Sequence, residues 1–431
     1  MKLAALAPLL AAWITLTSQA APPLPASAPD LPPLAAVRHT LHNSPDVLAA
    51  RSQGQASAAL RERLEAGPHE WSVRMASTRR EQKVAPGERY REWELGLERA
   101  VRLPGKASAD RELGAQAERQ AGIALGDALH EGSRALLKAW FGWLRERESV
   151  EQWQQQTDLL DRQAQIVRRR HTLGDAARLE SLQADAALAQ ARAQLAQAET
   201  RARTAREDLA RRYPDLPLPA RPQLAEPAPV AGDAEDWQRR ILEHNHELML
   251  ARARGQFARL TARRADQDLL PDPTLGVRMS AERAGEERLL GFSVALPLPG
   301  AARRAGSAQA QAEAAAAAHQ EAAALRRIGA EAQATYLAAT GAVEAWRRSE
   351  QAARQQGEAA DLLARAWQLG EAPISDMLTA RRLAFEARLA ARTAQVDARE
   401  AYNRLLLDAH QLWVLDAEHA DEHDDDHEPP R

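Results

Sequence analysis

Apolar and polar residues follow two different periodicities along this chain. Residues 105–171 and 301–368 contain no proline and are rich in Ala, Leu, Glu, Arg and Gln, a composition typical of long helices. At about 1.5 Å per residue, each helix would be on the order of 100 Å long. A single globular core cannot enclose helices of this length. We therefore predict that they pack side by side as coiled coils.

Four shorter segments alternate apolar residues with charged or small ones, as β-strands with two different faces do. The apolar positions are Trp71, Val73 and Met75; Trp93, Leu95, Leu97, Val101 and Leu103; Leu275, Val277 and Met279; and Leu290, Phe292, Val294, Leu296 and Leu298. This alternation is typical of an outer-membrane barrel with a lipid-facing outside and a wet inside. Two half-buried hairpins of a soluble protein would show it as well. Four strands cannot close a barrel, so the first interpretation predicts an obligate oligomer.

The chain repeats itself once, at an offset of about 200 residues. The matched segments, in the same order in both halves, include Asn43-Ser44-Pro45 with Asn245-His246-Glu247, Leu103-Pro104-Gly105 with Leu298-Pro299-Gly300, and Leu173-Gly174-Asp175 with Leu369-Gly370-Glu371. Each half is predicted to contain a helix (34–66 in the first), two strands, a very long helix, a turn and a last helix. The prediction comprises a signal peptide (1–20), a proline-rich linker (21–33), a first repeat (34–213), a second proline-rich linker (214–233), a second repeat (234–413) and an acidic, histidine-rich tail (414–431).

Composition narrows the classes of function. The chain of 431 residues has no cysteine, which excludes disulfides, thiolate metal sites and cysteine nucleophiles. Its net charge of −3, with both signs interspersed, argues against a nucleic-acid binder. Lys2 followed by a short apolar stretch and Ser18-Gln19-Ala20 indicates a secretory signal; the alternative, a membrane anchor, is disfavoured by Pro8. No enzymatic motif stands out, and we expect neither an enzyme nor a cofactor.

This order of strands, Leu-Pro-Gly segments and Leu-Gly turns resembles the TolC family of outer-membrane efflux proteins over residues 34–413, and most closely its heavy-metal (CzcC-like) branch. The resemblance implies a mainly α fold with a small β part, in which a homotrimer forms a 12-stranded barrel in outer-membrane lipid and an α-helical barrel in the periplasm. It also implies a passive conduit, for heavy-metal cations in that branch, served by a periplasmic adaptor and an inner-membrane pump. The alternative is a soluble periplasmic coiled-coil adaptor or a metal-binding scaffold.

The same resemblance assigns roles to residues at the helix turns. It implies that Leu173, Gly174, Leu369 and Gly370 form the tips that dock onto the adaptor, although each pair would serve equally as a simple structural turn. It places Asp376, with Glu180 at the comparable point of the first half, at the periplasmic gate. The family's second acid is replaced by Thr379 and its basic residue by Ala372, and an ordinary solvated helix position is the alternative for both acids.

The tail carries three histidines four residues apart among acidic residues: His419, His423 and His427. Imidazole and carboxylate together bind divalent cations, so weak metal binding is one hypothesis and a solvating acidic tail is the other. Five methionines and no cysteines give little support to a Cu(I) or Ag(I) relay. The remaining histidines, including His130, His244 and His246, are assigned no chemistry.

Overall fold

The computed structural model describes residues 29–83, 85, 87–220 and 222–415. The predicted signal peptide and nearly all of the tail lie outside these residues. The elements in chain order are α1 (Leu34–His42), α2 (Pro45–Ala66), β1 (Ser72–Glu81), β2 (Arg89–Ala100), α3 (Pro104–Thr172), α4 (Arg178–Arg212), α5 (Ala234–His244), α6 (His246–Gln267), β3 (Thr274–Glu282), β4 (Glu287–Ala295), α7 (Ala301–Leu369) and α8 (Ile374–Asp408), with one short 3₁₀ turn at Arg283–Gly285.

The structure is built from two matching halves. The long helices α3 and α7 have 69 residues each, and α4 and α8 have 35 each. The predicted bounds of both long helices differ from the observed ones by no more than a single residue at each end. The mainly helical fold with a small sheet and an internal two-fold repeat is therefore confirmed.

The predicted single helix over residues 34–66 is wrong, because the chain breaks between α1 and α2. The Ser44 hydroxyl accepts a hydrogen bond from the Val47 N–H at 3.5 Å, and Pro45 is the first residue of α2. The second half breaks in the same way, with Asn245 Oδ1 accepting from the Leu248 N–H at 2.8 Å. Both caps satisfy backbone donors that a helix start leaves unpaired. The structural partner of Asn245 is therefore Ser44, one residue from the match predicted by sequence.

The four strands form one antiparallel sheet in the order β1-β2-β3-β4. The strands extend further into the charged hairpin ends than predicted, since β1 reaches Glu81 and β2 begins at Arg89. At the other end they stop earlier, so Val101, Leu103, Leu296 and Leu298 lie just outside the strands. The central pair β2–β3 joins the two halves of the chain.

Each strand is continued by a helix, and the helices keep the order of the strands. Next to the sheet, α2 packs on α3, α3 on α6, and α6 on α7; farther away, α4 packs on α3, α3 on α8, and α8 on α7. The chain is thus a wall four elements wide along its whole length. We call it the four-element wall; its two edges are β1, α2 and α4 on one side and β4 and α7 on the other.

The largest hydrophobic core lies midway along the wall. It is centred on Trp140, Phe141 and Trp143 of α3 and includes Leu41 of α1 and Trp413 after α8. A second core near the helix turns joins the two helical hairpins. In the ranges that the structure describes, no helix is both long enough and apolar enough to cross a membrane.

Candidate functional site: the sheet faces and the helix tips

One face of the sheet is apolar and open to solvent across all four strands. Because directly paired residues of antiparallel strands share a face, the register defines two rows of neighbours that run across the sheet. These rows are Val73–Leu97–Val277–Phe292 and Met75–Leu95–Met279–Leu290. Met75 is 79% exposed and Phe292 is 81% exposed. Contiguous apolar surface of this kind marks an interaction with lipid or protein.

The opposite face of the sheet is polar. It carries Glu94 and Arg278, whose charged groups lie 4.0 Å apart, and Arg74 and Glu98, which lie 3.5 Å apart. Gly96 and other small residues separate them, in agreement with the predicted alternation. The sheet therefore has the two contrasting faces of a barrel wall, one suited to lipid and one to water.

Ion pairs around the buried Lys106 join the start of α3 to the segment that leads into β3. Lys106, the third residue of α3, is 2% exposed; its ammonium lies 2.9 Å from Asp272 Oδ1 and 3.1 Å from Asp268 Oδ1. His69 lies 2.9 Å from the other oxygen of Asp272, and the Leu103 N–H donates to Asp272 at 3.2 Å. Alternation of apolar residues gives no signal for this cluster, because its members lie in separate segments of the chain.

The same contacts lower the pKa of both aspartates. Burial by itself would raise the pKa of Asp272, but the donors His69, Lys106 and the Leu103 N–H favour its charged form, and its pKa lies below the usual value. Burial also opposes the shift at Asp268, where Arg264 and Lys106 lower the pKa. Both carboxylates are therefore charged at neutral pH and bind the start of α3 to the segment before β3.

Each helical hairpin turns at a glycine. Gly174 has φ of 86° and Gly370 has φ of 80°, a left-handed conformation that glycine adopts without the cost of a Cβ. The next residue closes the turn in the same way in both halves: the Asp175 N–H donates to Arg170 O at 2.8 Å, and the Glu371 N–H donates to Ala366 O at 2.9 Å. The structural reason for each glycine is thus shown.

The leucine before each glycine points away from the protein. Leu173 is 69% exposed and Leu369 is 67% exposed. Beneath them, Arg170 stacks on the Trp367 ring at 5.4 Å, which joins the first hairpin to the second. The tips therefore present exposed apolar side chains; their predicted contact with an adaptor stays a prediction.

Glu180 and Asp376 occupy equivalent places, each the third residue of the helix that follows a tip. A carboxylate in the first turn of a helix is favoured by the helix dipole, which accounts for both residues in a single chain. Asp376 is exposed and accepts a hydrogen bond from the Ser375 hydroxyl at 3.2 Å. Their predicted role at a gate concerns several chains together and stays a prediction. His419, His423 and His427 lie outside the described residues.

Four histidines for which the sequence predicts no role lie together in the structure. His130 of α3, His244 and His246 at the α5–α6 junction, and His410 after α8 form a cluster of rings, which we call the histidine cluster. Only the short spacing of His244 and His246 is visible in the sequence, since the others are more than one hundred residues away along the chain.

The similarity of this chain to known proteins lies in its fold. No family model and no curated protein matches the chain. Among solved structures, the chain is similar to the CmeC outer membrane channel of Campylobacter jejuni, with a TM-score of 0.70 and 12% identity over 88% of this chain and 85% of that one. The chain has the fold of an outer-membrane channel.

Two further solved structures support this conclusion about the fold. The outer membrane protein VceC of Vibrio cholerae matches with a TM-score of 0.67 and 17% identity over 88% of this chain and 96% of that one. The MtrE outer membrane channel of Neisseria gonorrhoeae, solved in its open state, matches with a TM-score of 0.67 and 17% identity over 88% of this chain and 89% of that one.

Proposed function

We propose that this chain is one subunit of an outer-membrane efflux channel, a passive conduit and not an enzyme. The observation that carries the proposal is the pair of faces on the four-stranded sheet. One face exposes apolar side chains in rows that cross all four strands, and the other carries ion-paired charges. The fold shared with solved outer-membrane channels supports it.

The dimensions of the sheet agree with a membrane position. The strands have 10, 12, 9 and 9 residues, and a tilted strand needs about 9–11 residues to cross a bilayer. Burying the apolar face in lipid removes it from water. The polar face, with Glu94, Glu98 and Arg278, then lines a wet lumen.

The open edges of the four-element wall support a homotrimer. β1 and β4 are edge strands, and four strands cannot close a barrel by themselves. Three copies would supply 12 strands and would close the sheet, and the helices that follow each strand would close a second tube beneath it. In this proposal the long helices extend that tube into the periplasm.

In this proposal the tips are the contact with a periplasmic adaptor, and an inner-membrane pump drives transport. Leu173 and Leu369 are the contact residues, while Gly174 and Gly370 shape the turns. Asp376 and Glu180, one short segment beyond each tip, would ring the periplasmic entrance when three copies assemble. Rings of carboxylates attract cations to a pore.

Heavy-metal cations are the substrate class that we favour. The support is the resemblance of the alanine-rich helices to the heavy-metal branch, the carboxylates beyond the tips and the histidine-rich sequence of residues 414–431. Comparing zinc, cobalt, nickel and drug sensitivity of a strain that lacks the chain with that of the complemented strain tests this choice. Restored resistance to drugs alone would reject metal cations as the substrate.

Two adjacent leucines of β4 provide a matched test of the channel. Leu290 lies in the apolar row with Met75, whereas Leu289 lies on the polar face in the row of Glu94. An arginine on the lipid face costs about 2–4 kcal/mol at the bilayer midplane. Leu290→Arg is therefore expected to deplete the protein from the outer-membrane fraction, and Leu289→Arg is expected to leave it there.

Equal recovery of both variants in the membrane would contradict a lipid-facing role for the apolar rows. Recovery of the unmodified protein in the soluble periplasm, without detergent, would favour the coiled-coil adaptor instead. Circular dichroism of the purified variants separates loss of insertion from loss of folding, because its signal comes mainly from the helices and both substitutions lie within β4.

A further inference from the structure

The histidine cluster brings together imidazoles from three distant parts of the chain. The ring centres of His246 and His410 lie 4.9 Å apart, those of His130 and His410 lie 5.1 Å apart, and those of His130 and His246 lie 6.1 Å apart. The ring centre of His244 lies 5.7 Å from that of His410. Nothing in the channel mechanism requires histidines at this place, midway along the wall.

A glycine of α3 leaves the space that one of these rings occupies. Gly126 lies one helical turn before His130 on α3, and a Cβ at this position would lie 2.8 Å from Cε1 of His246. A glycine within a helix costs about 0.8–1.0 kcal/mol relative to alanine. Its place in α3 is explained by the approach of the His246 ring.

His410 is held in an unusual backbone conformation. Its φ of 54° lies in the left-handed region, which is uncommon for residues other than glycine. The last turn of α8 fixes it, since the His410 N–H donates to Leu407 O at 3.1 Å. This conformation directs the chain after α8 back over His130, whose ring is stacked on that of His410 at an interplanar angle of 5°.

A buried carboxylate accompanies the cluster. Asp408 Oδ1 lies 3.7 Å from His130 Nε2 and accepts hydrogen bonds from Arg134 and Arg404 at 2.8 and 2.9 Å. A carboxylate beside a histidine is the usual second partner of a metal-binding imidazole, because it orients the ring. Two arginines hold Asp408 itself in place.

Two of the three separations, 4.9 and 5.1 Å, suit one shared ion, and the pair at 6.1 Å must move closer. Two imidazoles on one Zn²⁺, with Zn–N bonds of about 2.0–2.1 Å, have ring centres about 5 Å apart. Within the described ranges, no group of three or more metal-ligating side chains is already placed to hold an ion. The rings must therefore turn toward a common point, and rotation of an imidazole about its terminal torsion meets only a broad energy profile.

We propose that the histidine cluster is a binding site for a divalent transition-metal cation of the zinc type, with His130, His246 and His410 as its ligands. The bound ion joins α3, the start of α6 and the end of α8, and so cross-links the two halves of the chain. Neutral imidazole is a common ligand for such cations. The proposal does not depend on the channel function.

The test is thermal unfolding of the full-length protein in detergent, after stripping with a chelator, with and without Zn²⁺. A cation that binds the folded state raises the unfolding temperature. We expect a rise in the unmodified protein, and none in His246→Gln or in His410→Asn, since asparagine tolerates the left-handed backbone. His319→Gln, which changes an exposed histidine of α7, should respond like the unmodified protein.

Two further variants separate the histidine cluster from the tail and from a general loss of folding. Gly126→Ala removes no imidazole but displaces His246, so its Zn²⁺ response should be lost while the helical circular dichroism is kept. Deletion of residues 416–431 removes the tail histidines and should keep the response. Absence of any Zn²⁺ response in the unmodified protein, a response retained in His246→Gln and His410→Asn, or a response lost only with the tail would each overturn the proposal.

Discussion

The helices α3 and α7 have the same length and follow equivalent strands, yet their environments differ. Twenty-four residues of α3 are buried, including a cluster of large aromatic side chains, whereas 11 residues of α7 are buried. Helix α3 is flanked on both sides of the wall, by α2 and α4 on one side and by α6 and α8 on the other. Helix α7 is flanked on one side only, because it is the edge of the wall.

In the proposed trimer, this difference indicates where the next copy of the chain would bind. Alanines 314–318 and several leucines of α7 remain accessible, and small side chains allow another helix to approach closely. The same edge ends in β4, whose outer hydrogen-bonding groups are unpaired within the described sheet. A soluble monomer would leave both the accessible side chains of α7 and the edge of β4 uncovered.

The largest expected effect concerns the third residue of each long helix. Lys106→Met leaves Asp272 with one charged partner fewer in a buried setting, and removing one partner of a buried ion pair costs about 3–5 kcal/mol. Arg303 of α7 is half-buried and donates to the Asp268 carbonyl at 2.8 Å. Arg303→Met should therefore lower the free energy of unfolding by less than Lys106→Met does. Urea unfolding measures both free energies. Equal losses in the two variants would contradict the expected difference between the start of α3 and the start of α7.

Truncation of leucines should distinguish the two helices in a second way. Leu137 of α3 is 1% exposed and Leu337 of α7 is 57% exposed. Leu137→Ala should lower the free energy of unfolding of the chain by about 2–5 kcal/mol. Leu337→Ala should leave the stability of the chain unchanged and weaken the oligomer. Urea unfolding and detergent-phase mass measurement report the two effects separately, and a weakened oligomer in neither variant would argue against α7 as the contact edge.

Acid should loosen the junction at the start of α3. The pKa values of Asp268 and Asp272 are depressed in the folded protein, so their stabilisation is complete above the unfolded value of about 3.9 and is lost as the pH falls through the lower folded values. Asp272→Asn should be less sensitive than the unmodified protein below about pH 4. Unfolding free energies measured at about pH 6 and about pH 3 test this; an unchanged difference between the two proteins would contradict it.

The tips should show the smallest effect on stability. Leu173→Asp and Leu369→Asp change exposed side chains and should leave the free energy of unfolding within about 0.5 kcal/mol. Gly174→Ala should lower the free energy of unfolding by about 1–2 kcal/mol because of its left-handed backbone.

The chain has no cysteine, so a single Leu173→Cys can be cross-linked in the periplasm. We expect capture of an adaptor there and none from Ala318→Cys; the opposite result would reject docking at the tip.

The sequence predicted the long helices, the alternating strands and the tip glycines because each depends on local composition or spacing. The break at Ser44 was not predicted, although Asn43-Ser44-Pro45-Asp46 carries a local signal for it, a capping serine followed by a proline at the first helical position. The Lys106 contacts and the histidine cluster depend on which helices become neighbours. His130 meets His246 and His410 only after the two repeats pack together, and no periodicity reports that.

The number of copies in the assembled protein tests the central claim most directly. Four strands with two open edges require further copies to form a closed wall in lipid. Native mass spectrometry of the detergent-extracted protein should give three times the mass of one chain. A stable monomer, with the apolar rows of the sheet covered by detergent alone, would contradict the account.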